Sequence, residues 1–193
     1  MAEEGNNVNQ ENNEVQGDQA GRDIIKPVYN IGASSFGGIA QLERLYKRLQ
    51  DERKNDITIN DIIEELQHFK NQATSKEILE LEVKLKNGNR VDLLDFALTV
   101  KEKFTMKLLR NEHSESAQEI FAVLLGKVWT SFQINVYPKI KEGHPDEFIN
   151  SLIQEHIIKP LEEILGENLL KLYDQEIHGM IYFLTGNCHL KWS

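Results

Sequence analysis

The chain reads as a mainly α protein: a compact domain of about seven helices behind a disordered N-terminus, with one short β element at residues 23–31. Three observations lead there. Apolar residues recur at helical spacing from Ile39 to Leu184. Residues 1–16 are rich in Asn, Gln and Glu and nearly free of apolar groups, so they cannot offset the entropy of ordering. Between these regions, Asp23-Ile24-Ile25-Lys26-Pro27-Val28-Tyr29-Asn30-Ile31 is β-branched and aromatic. Pro27 removes a ladder donor, which confines such a strand to an edge or breaks it. A lone strand is marginal in water, so this one needs a partner strand, for instance from another copy. The expected division is a disordered acidic tail (1–16), a β element with a Gly-rich loop suited to oligomerisation (17–38), and a helical domain (39–193).

Each helix has its own signal. Ile39, Leu42, Leu45, Tyr46 and Leu49 share the face of a first helix. Thr58 opens a second, with Asp61 at capping-box spacing and a stripe of Ile59, Ile62, Ile63, Leu66 and Phe69. Ser75 caps a third, with Ile78, Leu81 and Leu85 inward and Asn87-Gly88 as its stop. A fourth spans about 91–110 with Leu94, Leu98, Phe104 and Leu108 inward. A fifth follows Ser114 or Ser116, buries Phe121, Leu124, Leu125, Val128, Phe132 and Val136, and stops near Tyr137-Pro138. Pro145 starts a sixth, with Ile153, Ile157, Leu161, Ile164 and Leu165 inward; Pro160 predicts a kink or break and Gly166 the end. The seventh runs from about Leu169 to Leu184 with Tyr173, Ile177, Met180 and Ile181, ending at Gly186-Asn187 in residues tolerant of the left-handed conformation.

Composition narrows the function. The 193 residues carry a net charge of −9 and one Cys. One Cys cannot form an intrachain disulfide or a multi-Cys zinc site, and it fits a reducing cytosol. No secretory leader or membrane-length apolar run stands out, so a cytoplasmic protein without a membrane partner is expected. Acidic charge argues against independent, high-affinity nucleic-acid binding, which depends on neutralising phosphates. The most basic stretch (Arg44, Lys47, Arg48, Arg53, Lys54) is interleaved with Glu43, Asp51 and Glu52 and reads as a salt-bridged helix surface, open to a phosphate contact if a partner presents DNA.

The candidate chemistry is sparse. Cys188-His189 is the one nucleophile–base pairing in sight, and sequence neighbours rarely face each other in the way that chemistry needs. The six histidines are scattered without metal-binding spacing. Glu64-Glu65 and Glu162-Glu163 read as solvated helix faces. No catalytic residue, metal ligand or cofactor is assigned. The ending Leu190-Lys191-Trp192-Ser193 lacks a loose polar tail, so it is expected to dock on its own core or on a partner.

Two segments resemble a known family. Gly17-Asp18-Gln19-Ala20-Gly21-Arg22-Asp23-Ile24 resembles the GDxAGRDI element found near effector domains in bacterial conflict systems. Ile62 to Phe69 and the ending from Met180 to Trp192 resemble small C-terminal-type domains of ABC three-component systems, a group of antiphage or anti-plasmid defence operons that includes Lamassu-like branches. The resemblance implies an SMC-like ABC ATPase and a middle component as partners, with an effector or further copies engaged through the N-terminal strand. It marks Gly17, Asp18, Ala20, Gly21, Arg22, Asp23, Ile24, Tyr29, Ile31, Asn187, His189 and Trp192 as interaction candidates. Family members often carry an enzyme domain before the helices; about 38 residues here are too few for one. The expectation is a non-catalytic coupling subunit. The alternatives are a small hydrolase or nuclease using Cys188, His189 and carboxylates, and an antitoxin or regulator.

Overall fold

A computed structural model describes residues 33–71 and 80–193, with side chains from Ala40 onward. Its helices are α1 (Ala33–Asn55), α2 (Glu64–Lys70), α3 (Leu81–Asn87), α4 (Leu94–Arg110), α5 (Glu115–Ser131), α6 (Tyr137–Lys141), α7 (Asp146–Ile153), α8 (Lys159–Leu165) and α9 (Asp174–Gly186). A 3₁₀ turn, Val91–Leu93, leads into α4, while π turns at Phe132–Val136 and Gln154–Ile158 join α5 to α6 and α7 to α8. Nine α segments therefore make seven rods, and no strand occurs among the described residues. The expected β element, the disordered tail, the Ser75 cap and Ile78 lie outside those residues.

The long rod α5–α6 forms the centre. Phe121, Leu124, Leu125, Val128, Phe132 and Val136 are all buried, as their spacing requires. By length and composition the stretch Glu115–Lys141 could cross a membrane; here its apolar stripe is the core against which α1, α2 and α9 pack. Helix α4 crosses α9 at close range. A Cβ placed on Gly179 would lie 2.3 Å from the Val100 carbonyl oxygen and 2.6 Å from Phe104 Cβ, so only glycine fits there. That crossing turns Ala97, Val100, Phe104 and Leu108 inward and leaves Leu98 49% exposed, contrary to the expected stripe.

Both proline expectations take one form. Pro138 and Pro160 each stand two residues after a π turn. Proline lacks an N–H and crowds the carbonyl four residues back; the wider i→i−5 turn absorbs both defects. The fifth helix therefore continues to Lys141 instead of stopping at Tyr137.

Other boundaries move because tertiary partners outbid local signals. Helix α1 begins at Ala33, inside the expected Gly-rich loop; each residue added to a helix closes a backbone bond, which offsets the cost of about 1 kcal/mol for a helical glycine. Thr58 and Ile59 do not start α2. Ile59 N donates to the His113 carbonyl at 2.8 Å. Gln118, 1% exposed, accepts from Ile63 N at 2.8 Å and donates to the carbonyls of Asp61 and Glu112 at 3.1 and 2.6 Å. This amide holds the stretch up to Ile63 out of the helix, which begins at Glu64. Likewise α9 starts at Asp174, not Leu169. Asn168 brackets Leu172, accepting from its N–H at 3.0 Å and donating to its carbonyl at 2.9 Å, with Lys171 left-handed at φ 53°. Tyr173 is the N-cap residue and 44% exposed.

Helix α1 runs antiparallel to α5. Arg48 pairs with Glu119 at 2.9 Å, while Glu52, one turn on, accepts from Ser114 Oγ at 2.6 Å, Ser116 N at 3.1 Å and Ser116 Oγ. A carboxylate at a helix N-terminus satisfies free donors and complements the dipole; Ser114 adds the side-chain cap, accepting from Ala117 N at 3.1 Å. The Tyr46 hydroxyl is buried with no hydrogen-bond partner among the described residues, and burial pushes its pKa up. Replacing Gln118 by Ala removes three buried partners at once, so urea unfolding is expected to show a loss of about 1–3 kcal/mol, with proteolysis appearing first in residues 57–63.

Candidate functional site

Two features stand out: the folded-back C-terminus and an apolar groove beside it. Helix α9 ends at Gly186, and Cys188, not Gly186 or Asn187, takes the left-handed conformation at φ 64°. Cys188 N donates to the Thr185 carbonyl at 3.1 Å and His189 N to the Leu184 carbonyl at 2.9 Å, closing the helix end. Lys84, 8% exposed, donates to the Thr185 carbonyl and lies 3.0 Å from Cys188 Sγ. A cation is favourable at that negative end of the dipole. Lys101 approaches Gly186 from α4, and its pKa is lowered by burial and then by the charge of Lys84.

Trp192 is 3% exposed. Its Nε1 donates to Thr185 Oγ1 at 3.1 Å, its ring meets Phe132 edge-on at 5.2 Å and stacks on Tyr182 at 6.2 Å, and the Arg90 guanidinium lies 4.9 Å over its face. Arg90 is itself buried and bonds Asn150 Oδ1 at 2.8 Å and Asp146 Oδ1 at 3.0 Å. Gly88 makes room: a Cβ there would sit 2.6 Å from Trp192 Cβ. Truncating an indole buried this fully to Ala costs about 3–5 kcal/mol.

The C-terminal interaction candidates are all engaged within the chain. Asn187 Nδ2 donates to the Phe69 carbonyl at 3.0 Å. His189 Nε2 reaches the Asn71 carbonyl at 3.0 Å, its ring near those of His68 and Phe69. Cys188 thus faces Lys84 while His189 faces Asn71, so the two side chains serve different partners. The remaining candidates (Gly17, Asp18, Ala20, Gly21, Arg22, Asp23, Ile24, Tyr29 and Ile31) lie outside the described residues. Among the described residues, no three His, Cys, Asp or Glu side chains gather as a metal site. In the basic cluster, Arg48 pairs with Glu119 and Glu115 of α5, and Arg53 donates to Asn111 Oδ1 at 3.2 Å.

Sequence reasoning missed the groove. It holds about 700 Å³ between α1, α5, α8 and the two π turns, lined by Gln41, Phe69, Trp129, Ile134, Ile157 and Ile164 among others. Trp129 is 42% and Ile134 67% exposed. Ser131 Oγ donates to the His156 carbonyl at 2.7 Å, tying one π turn to the other. A second hollow of about 570 Å³ continues it past Val123 to Glu65, Glu115 and Glu119. The available signal was Trp129 and Ile134, large apolar residues off the buried stripe of α5.

The fold and this site define a helical domain completed by its own C-terminal segment. The chain belongs to the family of C-terminal domain 9 of the ABC-three component (ABC-3C) systems, whose model matches residues 80–192. The match takes in α3 to α9 and ends on Trp192; α1 and α2 precede it. No curated protein and no solved structure matches the chain.

The His189 contact carries a pH dependence. Burial holds its imidazole below the ordinary value, with the nearby His68 acting the same way and the Asn71 carbonyl opposing both. The folded state therefore takes up its proton less readily than the unfolded state does. The His189 contribution is present above the unfolded value of about 6.5 and lost as pH falls below it. Thermal melts are expected to show a larger drop in Tm from pH 7.5 to 5.5 for the native chain than for His189→Gln.

Proposed function

We propose that the chain is a non-catalytic coupling and assembly subunit of a bacterial antiphage or anti-plasmid defence complex acting in the cytoplasm. In this reading the helical body docks on an SMC-like ABC ATPase or the middle component, and residues 17–31 connect it to an effector or to other copies. The observation that carries it is membership of the ABC-3C C-terminal domain family over residues 80–192. Support comes from the chemistry of the C-terminus: Asn187, Cys188, His189 and Trp192 spend their polar groups and rings on closing the fold. What the body offers outward is an apolar groove with Trp129, and aromatic residues in hollows are the usual anchors of protein interfaces.

The test is co-purification. The tagged chain, expressed with the ATPase and middle component encoded beside it, is expected to bring both down in stoichiometric amounts. Deleting residues 1–31 should weaken assembly while leaving the helical circular dichroism unchanged. A chain that never associates with such an ATPase would end this reading.

A further inference from the structure

We infer that the outward face of α4 is a self-complementary surface on which a second copy of this chain docks antiparallel, about a two-fold axis. Helix α4 turns Ala97, Val100, Phe104 and Leu108 inward. At ~100° per residue the opposite arc carries Asp95, Leu98, Glu102, Met106, Leu109 and Arg110. Leu98, Met106 and Leu109 are all exposed. Single apolar residues at a surface are ordinary, whereas a row of large ones along one helix face marks an interaction surface. The row follows from the close approach at Gly179, which fixes which side of α4 meets α9.

Charge selects the occupant. The acidic groups of this face, Asp95 and Glu102, come first along the helix, and the basic ones, Lys103 and Arg110, follow. A parallel pairing of two copies would set like charges against each other. An antiparallel pairing sets Asp95 against Arg110 of the second copy, Leu98 against Leu109 and Glu102 against Lys103. The midpoints of these three pairs all fall between Glu102 and Phe104. One two-fold axis through that point therefore satisfies every pair, and each contact is made twice, as a closed interface between identical surfaces requires. Among the described residues, Asp95, Glu102 and Arg110 form no ion pair, so their charges are open to a partner of opposite sign. Lys103 bonds Gln175 of α9 and has further donors to offer. Opposed helix dipoles favour the same direction. This pairing goes beyond the proposed assembly role and uses neither residues 17–31 nor the groove beside Trp129.

The experiment is sedimentation velocity on the full-length chain, purified alone and loaded at concentrations rising to ~100 µM, because a pairing through one helix of ~26 Å lies at the small end of stable interfaces. The expected result is a monomer–dimer equilibrium. Asp95→Arg and Arg110→Asp each turn an attraction into a repulsion in both halves of the interface, and each should weaken dimerisation about tenfold. The double variant restores opposite charges across the axis and should return dimerisation to within about threefold of the native chain. Both positions are exposed, and circular dichroism melts of each variant verify that the helical body stays folded. A chain that is monomeric throughout, a dimer indifferent to either single substitution, or a double variant that does not recover would each overturn the assignment. Deleting residues 1–31 should leave the dimer in place, and its loss would equally overturn the assignment. Survival of the dimer in a chain that never binds the ATPase would leave this inference standing while the assembly reading fell.

Discussion

The insertion of Trp192 beneath Arg90 is the contact on which the rest of the domain depends. One indole ring closes the end of α9 through Thr185, fills the space beside Phe132 and Tyr182, and receives a guanidinium on its open face. That guanidinium also holds the first turn of α7 through Asp146 and Asn150. Arg90 is 2% exposed, so its charge depends on those acceptors and on the ring. A segment from the end of the sequence thus unites α3, α5, α7 and α9. The family match running through Trp192 agrees with counting the tail as part of the fold.

A second set of buried polar contacts adds α1 and α2 to that body. Glu52 supplies the N-terminal cap of α5 from another helix, and Gln118 holds the non-helical run before α2. Both are polar groups satisfied inside the protein, where they give direction to packing that apolar contacts alone leave loose. With α1 fixed antiparallel on α5, one side of α5 is covered and its flank remains as the groove. The groove is therefore a consequence of how α1 and α2 attach, of the two π turns, and of the large side chains at Trp129 and Ile134.

The helical class, the seven rods and most of the core were legible in the sequence, because periodic burial is a local pattern. The α5 stripe from Phe121 to Val136 and the docked ending at Trp192 were read from spacing and composition alone. What escaped was set by distant partners. Residues 57–63 carry a helical apolar pattern, yet Gln118, 55 positions from Ile63, claims their backbone. Leu98 fits a stripe that the close approach at Gly179 rotates away. The left-handed residue of the α9 terminus is Cys188 and not its glycine or asparagine neighbours, since the chain must turn there toward Gly88. The prolines announced a defect in each helix, but only the continued packing of the rods decided that the defect would be a π turn. The groove was invisible because it is a gap between elements that no local pattern describes.

The most direct measurement of the central claim is native-state amide hydrogen exchange of the C-terminal segment. If Trp192 locks that segment into the core, the amides of Cys188 and His189, which bond carbonyls of α9, exchange only through global unfolding. Their protection then equals that of Met180 to Leu184 within about tenfold. Exchange about a thousandfold faster than in α9, the behaviour of a fraying end, would show that the tail merely rests on the domain and would contradict the account.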